Sequence, residues 1–196
     1  MRKSKRARAL PEIDGRVARS KRIVLETTYK LLTAVGLGGV SVDEVCRKSG
    51  VAKTTIYRHW SSREALLLEA CATMGPKSQA PDTGSFKRDI ETFLGQMAHR
   101  LKTAPWAMVL PSIVDAAERD EELAKVQARI HGEMRSPLRT IVERAQYRGE
   151  LPKRLGSSHV ISQILGPLFY RRWFSREPLY ERFLNGIVAR VVKFSE

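Results

Sequence analysis

The sequence predicts an all-helical protein in two parts, and three observations carry that expectation. Apolar residues recur at intervals of three and four, as in Leu123, Val126, Ile130, Met134, Leu138, Ile141, Val142 and Ala145. No stretch shows the clean apolar–polar alternation of a half-buried strand. Helix punctuation is frequent. Ser41-x-x-Glu44 and Ser61-x-x-Glu64 are capping boxes, in which the serine hydroxyl accepts from a first-turn amide and the glutamate reaches back. Gly50 and Gly149 stand where helices end.

Taken in order, residues 1–15 are expected to form a flexible basic arm. Arg2, Lys3, Lys5, Arg6 and Arg8 crowd its start, and Pro11 and Gly15 interrupt it. Such an arm either follows phosphates or only keeps the protein in solution. A first helix is expected from about Arg16 to Val35, with Val24, Leu25, Thr28, Leu31 and Leu32 on one face, stopped by Gly36, Gly38 and Gly39. A short helix from the Ser41 cap turns Val42, Val45 and Cys46 to one side. After Gly50, a second short helix from Thr54 to Trp60 turns Ile56 and Trp60 inward, and shows Lys53, Thr54, Thr55, Tyr57, Arg58 and His59 outward. Helix, tight turn and basic helix form a helix-turn-helix, placed in a DNA-binding domain over 16–61. Another helix starts at Ser61 and runs toward Met74.

Gly75–Ser85 reads as a linker, rich in Pro, Gly and polar residues. The remainder of 62–196 reads as a second helical domain. Pro105 closes one helix, Pro111 and Pro137 fall inside two others, and two apolar helices, Ser158–Phe174 and Leu179–Val192, end the chain.

The 196 residues carry 35 Lys+Arg against 21 Asp+Glu, a net charge of +14. Residues 1–63 hold 15 basic and 5 acidic residues, so +10 of the excess surrounds the helix-turn-helix. That distribution suits a polyanion bound by counterion release. Cys46 and Cys71 are the only cysteines and are expected as structural thiols. The four histidines are scattered, so no metal or cofactor is expected. No Ser/His/Asp grouping, phosphate loop or carboxylate pair argues for an enzyme. No apolar run reaches membrane-span length and no signal segment follows the basic start, so the protein is expected in the cytoplasm, with no membrane partner.

Ser41–Glu44, Gly50-Val51, Thr55-Ile56-Tyr57-Arg58-His59-Trp60 and Arg63-Glu64-Ala65-Leu66 resemble the DNA-binding segment of the tetracycline-repressor (TetR) family of bacterial transcription regulators, over roughly Arg16 to Ala70. Two positions depart from its pattern. Ala52 stands where the family often has Ser, which removes a side-chain cap, and Arg63 where it usually has Lys. The resemblance implies that Lys53, Thr55 and Arg58 meet base edges. It implies phosphate contacts for Tyr57, His59 and Arg63 and for the hydroxyls of Ser41 and Thr54.

It further implies a homodimer on a palindromic double-stranded operator, most commonly a repressor released by a small-molecule effector, with 62–196 as the ligand-sensing and dimerisation domain. Phe93, Met97, Trp106 and Met134 either line the effector cavity or simply fill the core. The dimer contact is expected at Ile161, Ile164, Leu165, Leu168, Ile187, Val188, Val191 and Val192, which exceed what the core of one domain is expected to absorb. The alternative is a helical protein that binds a small molecule or partner and no longer reads DNA; Lys53, Arg58 and Arg63 speak against it.

Overall fold

The computed structural model describes residues 10–74 and 79–193. Among them are nine α-helices and no strand, so the all-helical expectation is met. Two compact units form: residues 1–75 with 108–127, and residues 76–107 with 128–196.

In the first unit α1 runs Leu10–Val35, α2 Val42–Ser49, α3 Lys53–His59 and α4 Arg63–Met74. Helix α1 packs on α4 and α2, and α2 packs on α3. Leu25, Leu31, Leu32, Val45, Ile56, Trp60, Leu66, Leu67 and Ala70 are all buried. Helix α1 begins at Leu10, inside the stretch expected as a flexible arm. Pro11 falls in its first turn, where a missing N–H costs nothing, and Gly15 costs only about 1 kcal/mol relative to Ala. Residues 1–9, the rest of that arm, lie outside the described residues, as do 75–78 of the expected linker. Thr28, fully buried on α1, satisfies its hydroxyl on the Val24 carbonyl at 2.8 Å.

The caps follow the sequence closely, with one correction. Ser41 accepts from the Glu44 amide at 3.1 Å, and Gly50 takes φ +70°, a left-handed turn that costs a glycine nothing. Ala52, as expected, gives α3 no side-chain cap. Helix α4, however, is capped by Ser62, whose hydroxyl accepts from the Ala65 amide at 3.0 Å. The box expected at Ser61 is shifted by one residue because α4 starts at Arg63.

In the second unit α5 (Phe86–Thr103) packs on α9 (Glu181–Val192), which also packs on α8 (Ser157–Phe169). Helices α6 (Trp106–Ala117) and α7 (Glu121–Tyr147) contain Pro111 and Pro137, and each contributes residues to both units. The start of α5 is held from far away in sequence. The Phe86 amide donates to the Glu150 carboxylate at 2.6 Å, and the amide and hydroxyl of Thr83 donate to Asp89 at 2.6 and 2.8 Å. Arg148 lies 3.5 Å from the other oxygen of the fully buried Asp89 and also pairs with Glu150.

After α8 the backbone widens into a π-helical turn, Tyr170–Ser175, rather than continuing as α-helix to Phe174. Pro167 supplies no N–H there, and the Tyr170 amide is shared between Gly166 and Pro167 carbonyls. Within this turn, Arg172 donates to the Leu101 carbonyl at 2.8 Å and the Trp173 indole to the Ala107 carbonyl at 3.2 Å.

The premise for the dimer residues needs correcting. Ile161, Ile164, Leu165, Leu168, Ile187, Val188 and Val191 are each at most 4% exposed in the single chain, and Val192 is half-buried. Three helices, α5, α8 and α9, share these side chains, which the sequence could not show as partners. The faces of α8 and its continuation that remain open carry Ser158, Ser162, Gly166, Tyr170 and Phe174.

Candidate nucleic-acid interface

The interface begins with two short helices fixed by their own core. Val45 of α2 and Ile56 of α3 are buried, which commits the opposite side of α3 to solvent. Lys53, Thr54, Tyr57 and Arg58 are exposed, and Thr55 and His59 half-exposed. The expected outward face of α3 is therefore assembled, with Ser41 exposed at the start of α2.

These side chains differ in what already holds them. Arg58 has no ion-pair or hydrogen-bond partner among the described residues. Lys53 is paired across the helix boundary: its Nζ lies 2.7 Å from Asp43 Oδ1. Hydrogen bonding to that carboxylate raises the Lys53 pKa above the ordinary lysine value. On α2, Glu44 is taken by Arg47 at 2.6 Å and Lys48 at 3.7 Å, and the Arg47 hydrogen bond holds its carboxyl below the usual range. His59 sets its ring edge-on to Trp60 at 5.7 Å.

Arg63, expected at phosphates, already has partners within the chain. Its Nε donates to the Val40 carbonyl at 2.6 Å, one terminal nitrogen to the Leu37 carbonyl at 2.5 Å, and the other to Glu64 at 3.2 Å. The guanidinium ties the start of α4 to the turn that precedes α2. Only a planar fork spans two carbonyls in this way; the lysine usual in the family is a point charge. Trp60 completes the packing, its indole donating to Glu69 at 2.7 Å with the Lys21 ammonium 5.9 Å over the ring.

Sequence reasoning missed Asp43. An acidic residue beside a basic face reads as helix-start electrostatics, and its distance to Lys53 exists only once the turn is formed. In the second unit Phe93, Met97, Trp106 and Met134 are all buried, and the Trp106 indole N–H has no hydrogen-bond partner among the described residues. Among the described residues no helix is long and apolar enough to cross a membrane.

A preformed helix-turn-helix with an exposed, cationic second helix defines a DNA-binding protein of the helix-turn-helix class. The family described as "Bacterial regulatory proteins, tetR family" matches residues 24–70, and "Tetracyclin repressor-like, C-terminal domain" matches residues 80–191. The chain belongs to the TetR family of bacterial transcription regulators. It is 29% identical over 192 residues to the uncharacterized HTH-type transcriptional regulator YdeS of Bacillus subtilis, covering 97% of this chain and 93% of that one. It is 31% identical over 166 residues to the HTH-type transcriptional regulator AqdR of Rhodococcus erythropolis, covering 80% and 78%. The crystal structure of the TetR family regulator SCO0332 superposes with a TM-score of 0.73 at 25% identity, over 90% of this chain and 98% of that one.

Proposed function

We propose that this chain is a cytoplasmic, homodimeric repressor that binds a palindromic operator and leaves it when a small molecule occupies the second unit. The observation that carries the DNA reading is the unpaired Arg58, exposed between Tyr57 and His59 on a helix whose other side is buried. The surrounding +10 charge of residues 1–63 supports it. One helix-turn-helix reads few base pairs, so two copies about 34–36 Å apart are needed to meet successive turns of the major groove. The open faces of α8 and α9 are the surfaces proposed to meet in the dimer. Release is linkage: an effector that prefers a conformation with misplaced α3 helices lowers DNA affinity by the same factor that DNA lowers its own. Phe93, Met97, Trp106 and Met134 are the side chains proposed to meet it.

The test is titration of the duplex upstream of the chain's own gene, across a salt series. Arg58→Ala should lose about 1–3 kcal/mol on the preferred sequence and discriminate less against others. Equal affinity of wild type and variant for every duplex would refute the reading.

A further inference from the structure

We infer that Asp43 and Lys53 act together as a donor–acceptor pair that reads one G·C base pair in the major groove, the ammonium donating to guanine and the carboxylate accepting from the cytosine amine. The inference rests on the DNA reading above and assigns it a base.

Three features point to it. The pair joins two different helices at 2.7 Å, yet its side chains are 52% and 74% exposed, and exposed ion pairs contribute little to folding. Val45 and Ile56 already hold α2 against α3, so the fold does not need the pair. Secondly, a carboxylate is out of place on a surface that only follows phosphates. There it would cancel the one cation beside it and be repelled by the backbone. Thirdly, the other acidic group of that turn, Glu44, is engaged by Arg47 and Lys48, so Asp43 alone reaches over to α3.

The chemistry of the groove then chooses the base pair. A G·C pair presents two adjacent acceptors, guanine N7 and O6, followed by one donor, the cytosine N4 amine. An ammonium has three hydrogens: two can serve N7 and O6 while the third keeps the carboxylate alongside. The carboxylate in turn accepts from N4. At an A·T pair the donor lies between two acceptors, so the carboxylate would face the O4 of thymine as well as the adenine amine. The pair therefore discriminates where a lone lysine would serve any acceptor.

The experiment is selection of the full chain on a pool of duplexes with a randomised core, followed by binding measurements on the winners and on G·C-to-A·T exchanges of each position. The variants are Asp43→Ala and Lys53→Met, both at exposed positions, with thermal melts to establish that each folds as wild type. Wild type should show a symmetric pair of positions where the exchange weakens binding roughly five- to 100-fold. In both variants that penalty should shrink to near unity while the remaining positions keep theirs. Asp43→Ala should also bind random duplex more tightly, with a salt slope steeper by about one unit, because a cation has been freed. The inference is overturned if Asp43→Ala keeps the full penalty at every position, or if the positions that depend on it prefer A·T. Failure of wild type to enrich any sequence would instead remove the DNA reading on which it stands.

Discussion

Arg63 shows how one substitution within a family motif changes a residue's work. Its fork satisfies two backbone carbonyls that precede α2, so Arg63→Lys should leave one of them without its donor. Hydrogen bonds from charged groups contribute about 1.5–3 kcal/mol, so the variant should melt several degrees lower while the salt slope of DNA binding stays as in wild type. A shallower slope with an unchanged melting temperature would return Arg63 to the phosphates. The thiols give a second test at this scale. Burial pushes Cys71 up to about 11, which leaves roughly a thousandth as thiolate at pH 8. Iodoacetamide at pH 8 should therefore label Cys46 and spare Cys71 in the folded chain; labelling of Cys71 first would show that its site opens. What separates Lys53, Arg58 and Arg63 was not legible in sequence. All three are cations at motif positions, and only the fold decides which one finds a carboxylate, which a pair of carbonyls, and which nothing.

Helix α5 illustrates the same boundary among elements. Its apolar stripe, Phe86, Ile90, Phe93, Leu94, Met97 and Leu101, fixed its existence and its buried side from spacing alone. Its beginning depends on Glu150, 64 residues away, which accepts the Phe86 amide, and no local pattern announces a cap that distant. Glu150→Ala should cost about 1 kcal/mol and lower the melting temperature by about 2–4 °C for a chain of this size. Glu150→Gln, which keeps an acceptor, should recover part of that loss. Equal melting of all three would mean that the cap contributes nothing. The short helices were read to within a residue, α3 running Lys53–His59 where Thr54–Trp60 was expected, and down to the uncapped start at Ala52, because hydroxyl caps and glycine stops act within four residues. The π-helical turn escaped because its sequence, Tyr170–Ser175, is apolar enough to continue a helix and only its docking on Leu101 and Ala107 makes the extra residue per turn worthwhile.

At the scale of the whole molecule, the apolar side chains expected on α8 and α9 are there and are already buried within one chain, and burial inside a chain and burial between chains leave the same composition. The two can be separated by experiment. Phe174→Asp changes a ring that is 76% exposed and stacked on Tyr170 at 6.0 Å, so it should leave the helicity and folding of a lone chain intact while the protein sediments as a monomer and loses operator affinity. Ile164→Asp strands a charge in a fully buried site and should unfold the chain outright. A Phe174→Asp protein that still sediments as a dimer would place the contact elsewhere. The positions of the three tryptophans have an optical consequence. Trp60 belongs to the first unit, and Trp106 and Trp173 to the second, each indole in its own setting: a carboxylate at one N–H, no partner among the described residues at another, a carbonyl at the third. Exchanging Trp60 for Phe would leave emission from the second unit alone, and exchanging the other two would leave emission from the first unit alone. Occupancy of either half could then be followed by its own colour and intensity, without attaching a dye.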